Sequence, residues 1–252
     1  MNLDERDSVA DQFGVAPEQV ERDHLISLLL GYLSEHFADR LHFIGGTALA
    51  RTHLPNGRLS EDIDLIALDP RRSTLAADLD ETLPRALQRA YSRLEWAPPL
   101  SAGSSVDAAT LHTTSGLAVK IQLLASTDRT LWPTEPRTLI QRYSDAPPAR
   151  LLVPTLPAFA ASKTATWCDR AAARDLWDLW ALTNIGAINP DTAALFRKHG
   201  PTGKNPGTYV FTRPPSTNEW HTQLAGQTRL TITATDALHT VRTAWDHLTP
   251  PP

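Results

Sequence analysis

The chain has 252 residues, 41% of them hydrophobic and 21% charged, and a formal net charge of −4. That length supports one large domain or two modest ones. The acidic balance excludes a protein that coats nucleic acid through global positive charge, while leaving room for a local basic patch.

Residues 17–37 read as a helix: Val20, Leu25, Leu28, Leu29, Tyr32 and Leu33 form an apolar stripe behind Pro17, which suits a first helical position. The apolar run 41–44 stops at Gly45-Gly46 and reads as a buried strand, with a short helix predicted over 47–53. A second strand follows over 63–68, just after Asp62, and then a long helix over 73–94. Strands are predicted at 104–107, 109–112 and 118–124, the last two joined by the turn 113–116. Beyond them the chain turns helical, at 156–167, 174–182 and 191–198. Trp167, Trp177 and Trp180 fall at helical spacings and read as core. Residues 199–229, rich in Gly, Pro, Thr and Asn, read as a long loop with Trp220 exposed in it. A helix over 231–247 closes the pattern.

Residues 1–150 carry 15 basic against 21 acidic side chains, and residues 151–252 carry 9 against 7. The shift coincides with Pro147-Pro148, which predicts a boundary near 150 between an N-terminal domain, 1–150, and a mostly helical part, 151–252. The single cysteine, Cys168, excludes an internal disulfide and a cysteine-rich zinc site. No apolar run nears the roughly 18 residues that span a bilayer, and the acidic start lacks a signal-peptide pattern. Cytoplasmic residence without a membrane partner is the expectation.

The chemistry-bearing stretch is Phe43-Ile44-Gly45-Gly46-Thr47-Ala48-Leu49, followed by Arg58-Leu59-Ser60-Glu61-Asp62-Ile63-Asp64-Leu65. Glycines between a strand and a helix let the backbone approach a ligand, and the first helical N–H groups point at it, which makes a phosphate cradle. The Thr47 hydroxyl is placed either to contact phosphate or to cap the helix. Asp62 and Asp64 are two apart on a predicted strand, so both carboxylates share one face and Ile63 points inward. Two such carboxylates repel unless a cation lies between them, and Mg²⁺ takes carboxylate and phosphate oxygens together. A phosphate cradle beside an Asp-x-Asp pair is what metal-assisted nucleotidyl transfer needs. No P-loop or dinucleotide fingerprint occurs, and the nine histidines form no zinc motif.

These residues resemble the AbiEii/AbiGii-type, MenT-like nucleotidyltransferase toxins of the DNA-polymerase-β-like superfamily. The resemblance runs on through Lys120, Lys163 and Arg174-Asp175-Leu176-Trp177-Asp178-Leu179. It implies an α+β fold with a small mixed sheet and a helical C-terminal part that completes the active-site cleft. It implies Mg²⁺ as cofactor, a nucleoside triphosphate as donor, a tRNA 3′ end as acceptor and a cognate antitoxin as partner. Asp62 and Asp64 match the metal-binding carboxylates. Gly45, Gly46, Thr47, Arg58, Ser60, Lys120 and Lys163 fall in the nucleotide-binding set, and Lys163 and Asp175 in the catalytic one. The later-strand position where many superfamily members carry a third carboxylate holds Gln122, which is no base and a poor Mg²⁺ ligand; Asp107 or Asp175 is then left for the base. On ordinary grounds Lys163 would snorkel to the surface, Arg58 would be an exposed loop arginine, Ser60 a turn residue and Asp175 an ion-pair partner of Arg174 or Arg170.

Arg197, Lys198, Lys204 and Arg213 make a basic stretch suited to an RNA backbone. Two other readings stay open: nucleotidylation of a protein or small molecule, and a catalytically inactive nucleotide-binding module, which Gln122 keeps in view.

Overall fold

The computed structural model describes residues 1–104, 107–128 and 130–248. It divides into two compact units, Met1–Val153 and the chain from Pro154 onward.

The first unit opens with α1 (Leu3–Phe13) and α2 (Pro17–Phe37), followed by β1 (Leu41–Ile44), α3 (Gly45–Ala50), β2 (Asp62–Ala67), α4 (Arg72–Ala86) and α5 (Gln88–Tyr91). The strands β3 (Leu94–Trp96), β4 (Ala108–Thr113), β5 (Ala118–Ala125), β6 (Thr134–Thr138) and β7 (Arg150–Pro154) complete it. Among the described residues the strands form one mixed sheet in the order β3-β4-β5-β2-β1-β7-β6. Its centre is β2, antiparallel to β1 and parallel to β5. Period-two alternation puts Phe43, Ile63, Leu65, Val119, Ile121 and Leu123 fully into the core, where α2 and α4 contact β5 and each other. The intervening residues, Asp62, Asp64, Lys120 and Gln122, stand on the other face.

Several predicted bounds change for local reasons. The long helix expected over 73–94 breaks into α4, α5 and β3, with Ser92 between the last two at φ 58°. The strand expected at 104–107 lies partly outside the described residues; Ser104 donates from its amide and hydroxyl to the Asp107 carboxylate. The helix α1 and the strands β3, β6 and β7 were not predicted. Pro147 packs against α2 at Gly31, so the proline pair belongs to the first unit.

A buried ionic cluster ties α2 to α3 and to the stretch after β6. Arg51 pairs with Asp23 at 2.8 Å and donates to the carbonyl of Ile140, while the Tyr143 hydroxyl donates to Asp23 at 2.9 Å. Arg142 lies 3.8 Å from the same carboxylate, and burial beside Arg51 lowers its pKa to about 10.

The second unit is helical: α6 (Leu156–Arg170), α7 (Ala173–Asn184), α8 (Pro190–His199), α9 (Thr217–Leu224) and α10 (Ala234–His247). The helix α7 packs on α6, α9 and α10. Trp167 and Trp177 are buried, as predicted, and Trp180 is half-buried. The expected loop 199–229 contains α9, opened by a capping box in which Ser216 and Glu219 satisfy each other's backbone amides. Trp220 is therefore buried, its indole N–H donating to the carbonyl of Ile232 at 3.0 Å. Among the described residues no helix is long and apolar enough to cross a membrane.

Candidate active site

The site starts at the crossing from β1 into α3. Ile44, the last residue of β1, is registered against Asp64 of β2, so the turn that follows lies over that carboxylate. Gly45 has φ +80°, and a Cβ there would lie 2.0 Å from Oδ2 of Asp64. Only glycine combines that backbone with that space. A Cβ on Gly46 would lie 2.4 Å from Nη2 of Arg58 and 3.2 Å from Oγ of Ser60. Arg58 is only 4% exposed, so it is not a surface loop arginine: its guanidinium is packed onto the glycine turn. Ser60 is buried too and lies before β2 rather than on it.

The helix α3 begins at Gly45, two residues earlier than predicted, and Ile44 at its N-cap supplies no capping side chain. The Thr47 hydroxyl does not cap it. That side chain is buried and donates to the carbonyl of Asp62, which pins α3 to the first residue of β2.

On β2, Ile63 is buried while Asp62 and Asp64 are half-buried. In the parallel pairing with β5, Asp62 is registered with Lys120 and Asp64 with Gln122. An exposed ammonium-bearing residue and an amide thus flank the carboxylate pair on one sheet face. Gln122 is the registered neighbour of Asp64. Asp107, the other carboxylate considered for the base, is exposed, and the Ser104 hydroxyl and amide hold its carboxyl below the usual range.

Among the described residues no three His, Cys, Asp or Glu side chains converge as a metal cage. The donor set is two carboxylates beside a glycine turn. That fits Mg²⁺, which binds through one or two carboxylates plus substrate phosphates and waters rather than through an all-protein cage.

The second unit holds the other residues singled out by sequence. Lys163 on α6 pairs with Asp178 at 2.7 Å and Asp175 at 3.3 Å, both on α7. Arg170 donates to Asp175 at 2.7 Å. Asp175 is fully buried and Lys163 nearly so, so the lysine does not snorkel. Asp175 is engaged by both cations, Lys163 and Arg170. Asp178 holds the shorter contact to the lysine.

The profile described as nucleotidyl transferase AbiEii toxin, type IV toxin–antitoxin system, matches residues 27–246. The chain belongs to the AbiEii nucleotidyltransferase toxin family. Among solved structures, MenT4, a nucleotidyltransferase toxin from Mycobacterium tuberculosis, superposes with a TM-score of 0.67 over 98% of this chain and 90% of that one, at 21% identity. The AbiEii toxin thus shares the fold of that protein. An antigenic nucleotidyltransferase-like protein from Paracoccidioides brasiliensis matches more weakly, with a TM-score of 0.41 over 65% of this chain and 77% of that one, at 17% identity. No match was found among curated protein sequences. Family membership makes this AbiEii toxin a nucleotidyltransferase with a nucleoside triphosphate substrate and an antitoxin partner.

Proposed function

We propose that this AbiEii toxin transfers a nucleoside monophosphate from a nucleoside triphosphate to an RNA hydroxyl, that of a tRNA 3′ end, in the cytoplasm, and that an antitoxin restrains it. The observation that carries the reading is the packing of Asp64 against Gly45, with Asp62 on the same sheet face. The carboxylates would hold Mg²⁺, which would neutralise phosphate charge at the reacting centre. The Gly45-Gly46 turn would let triphosphate oxygens approach the backbone, with Arg58 packed on that turn and Lys120 registered beside Asp62. Thr47 holds this turn to the start of β2, and Ser60 packs beside Gly46. The acceptor oxygen bonds to the α-phosphorus, the bond to the β-phosphate oxygen breaks, and pyrophosphate leaves as the hydroxyl proton is released. Phosphoryl transfer asks mainly for positioning and charge stabilisation, which is what this cluster offers without a third carboxylate. Lys163 and Asp175 are assigned to the residues on which transfer depends.

The RNA acceptor rests on charge. No Asp or Glu occurs between Asp191 and Glu219, and that stretch holds Arg197, Lys198, Lys204 and Arg213, all exposed. Gln122 beside Asp64 favours one second reading, a nucleotide-binding module without turnover. Incubation with each labelled nucleoside triphosphate, Mg²⁺, total tRNA and cell protein separates the readings. Label on tRNA is the expected outcome. Label on protein or a small molecule would move the acceptor, and nucleotide binding without transfer would support the inactive module.

A further inference from the structure

Tyr209 is 71% exposed, more than any other large hydrophobic side chain among the described residues. It sits on a 3₁₀ turn, Thr208–Phe211, which is anchored through the residues that follow it. The carbonyl of Val210 accepts the Trp167 indole N–H at 2.9 Å. Phe211 is buried and lies parallel to Trp167, with ring centroids 6.5 Å apart and planes 3° apart. The carbonyl of Tyr209 accepts the Thr212 hydroxyl at 2.9 Å. The phenol ring rests on Gly207, where a Cβ would lie 2.4 Å from Cε1. The turn is therefore held by its neighbours while the ring itself is presented outward. Phe211 is buried while Tyr209, two residues before it, is exposed, so the Tyr209 ring contributes little to the core.

The surrounding chain is fixed and basic. Arg197 donates to Asn205 at 2.9 Å, and Asn205 donates to the carbonyl of Leu248 at 3.1 Å, joining the end of α8 to the end of α10. Lys204 precedes the ring by five residues and Arg213 follows it by four, within the stretch that lacks carboxylates. An exposed ring in a basic, carboxylate-free stretch of chain matches the chemistry of an unpaired nucleic-acid strand: phosphates meet the cations and a base stacks on the ring. A duplex, whose bases are already stacked, offers the ring no face.

We infer that Tyr209 is a stacking platform for an unpaired RNA base, with Lys204 and Arg213 contacting the flanking phosphates. This rests on the proposed RNA acceptor and adds how the strand is gripped. The test is fluorescence anisotropy on the full chain with three probes: a labelled single-stranded oligoribonucleotide, its blunt duplex, and the same strand with abasic sugars. Tyr209→Ala is expected to weaken binding of the single strand about tenfold, to leave the duplex and abasic strands unchanged, and to leave the thermal unfolding curve unchanged. Tyr209→Phe is expected to bind all three like the parent. Equal binding by parent and Tyr209→Ala, or an equal loss on all three probes, would overturn the inference. So would retention by vesicles containing phosphatidylserine with no retention of the single strand. If Tyr209-dependent binding is present but no RNA is labelled, the transfer reading fails and this one stands. If RNA is labelled and Tyr209→Ala changes no binding, this one fails alone.

Discussion

The carboxylate of Asp64 occupies the space that a side chain on Gly45 would need: a Cβ there would stand 2.0 Å from Oδ2. The glycine turn and the Asp-x-Asp strand, separate motifs in the sequence, are one packed unit. Gly45→Ala should therefore act on the site twice. A left-handed φ of +80° costs an L-residue about 1–2 kcal/mol, and the methyl displaces Asp64. We expect a lowered melting temperature and a larger loss of transfer, measured by calorimetry and by labelled-nucleotide assay. Parent-like activity would separate the turn from the carboxylate.

Gln122→Glu should convert the carboxylate pair into a triad, because Gln122 is the registered neighbour of Asp64 on β5. Ligand charge count sets divalent-cation affinity, so Mg²⁺ or Mn²⁺ should bind more tightly in the absence of nucleotide. Without metal the variant should be less stable than the parent through carboxylate repulsion, and titration calorimetry with thermal unfolding reads both effects. Unchanged metal affinity would mean that the Gln122 side chain does not reach the ion.

Lys163 joins α6 to α7 through Asp175 and Asp178. Lys163→Met removes the cation and leaves two buried carboxylates. Breaking a buried pair from one side costs about 3–5 kcal/mol. Nucleotide affinity measured below the variant's melting temperature tells structure from function. A loss for nucleoside triphosphate greater than for diphosphate supports phosphate contact, and equal affinities assign the lysine to the fold.

Burial lowers the pKa of His24 below 6.5, against the pull of Asp145, and lowers that of His42 in the same direction. The unfolded chain therefore binds more protons than the folded one just below pH 6.5. Stability should be complete above that pH and fall as pH drops toward the folded values. His24 also bonds Tyr91 at 2.6 Å and Asp145 at 2.9 Å. Urea midpoints measured between about pH 7.5 and 5 should decline for the parent, and less steeply for His24→Gln.

The parts legible in the sequence are those where one local rule decides. Asp62, Ile63 and Asp64 alternate as a strand must, and the β1–Gly–Gly–helix order announced its own turn. The strand β6, Thr-Glu-Pro-Arg-Thr, has no apolar alternation to read, and β7 lies against the proline pair taken as a boundary. The helix α9 carried a readable signal, the capping box from Ser216 to Glu219, masked by the polar composition around it. The Asp23–Arg51 pair and the burial of Lys163 depend on which distant residues meet, which no spacing reveals. Tyr209 could not be told from a core aromatic, because nothing in the spacing of Tyr209 and Phe211 shows which of the two is buried.

The central claim is that Asp62 and Asp64 support Mg²⁺-dependent transfer of a nucleoside monophosphate. The direct measurement uses one nucleoside triphosphate labelled at the α-phosphorus and, separately, at the γ-phosphorus. Each is incubated with tRNA and Mg²⁺ and either the parent chain, Asp62→Asn or Asp64→Asn. The account predicts that α-label becomes attached to RNA, that γ-label leaves as pyrophosphate, and that either substitution or removal of Mg²⁺ abolishes both while the variants still fold. Transfer that survives in Asp62→Asn and Asp64→Asn, or γ-label attached to the acceptor, would contradict it.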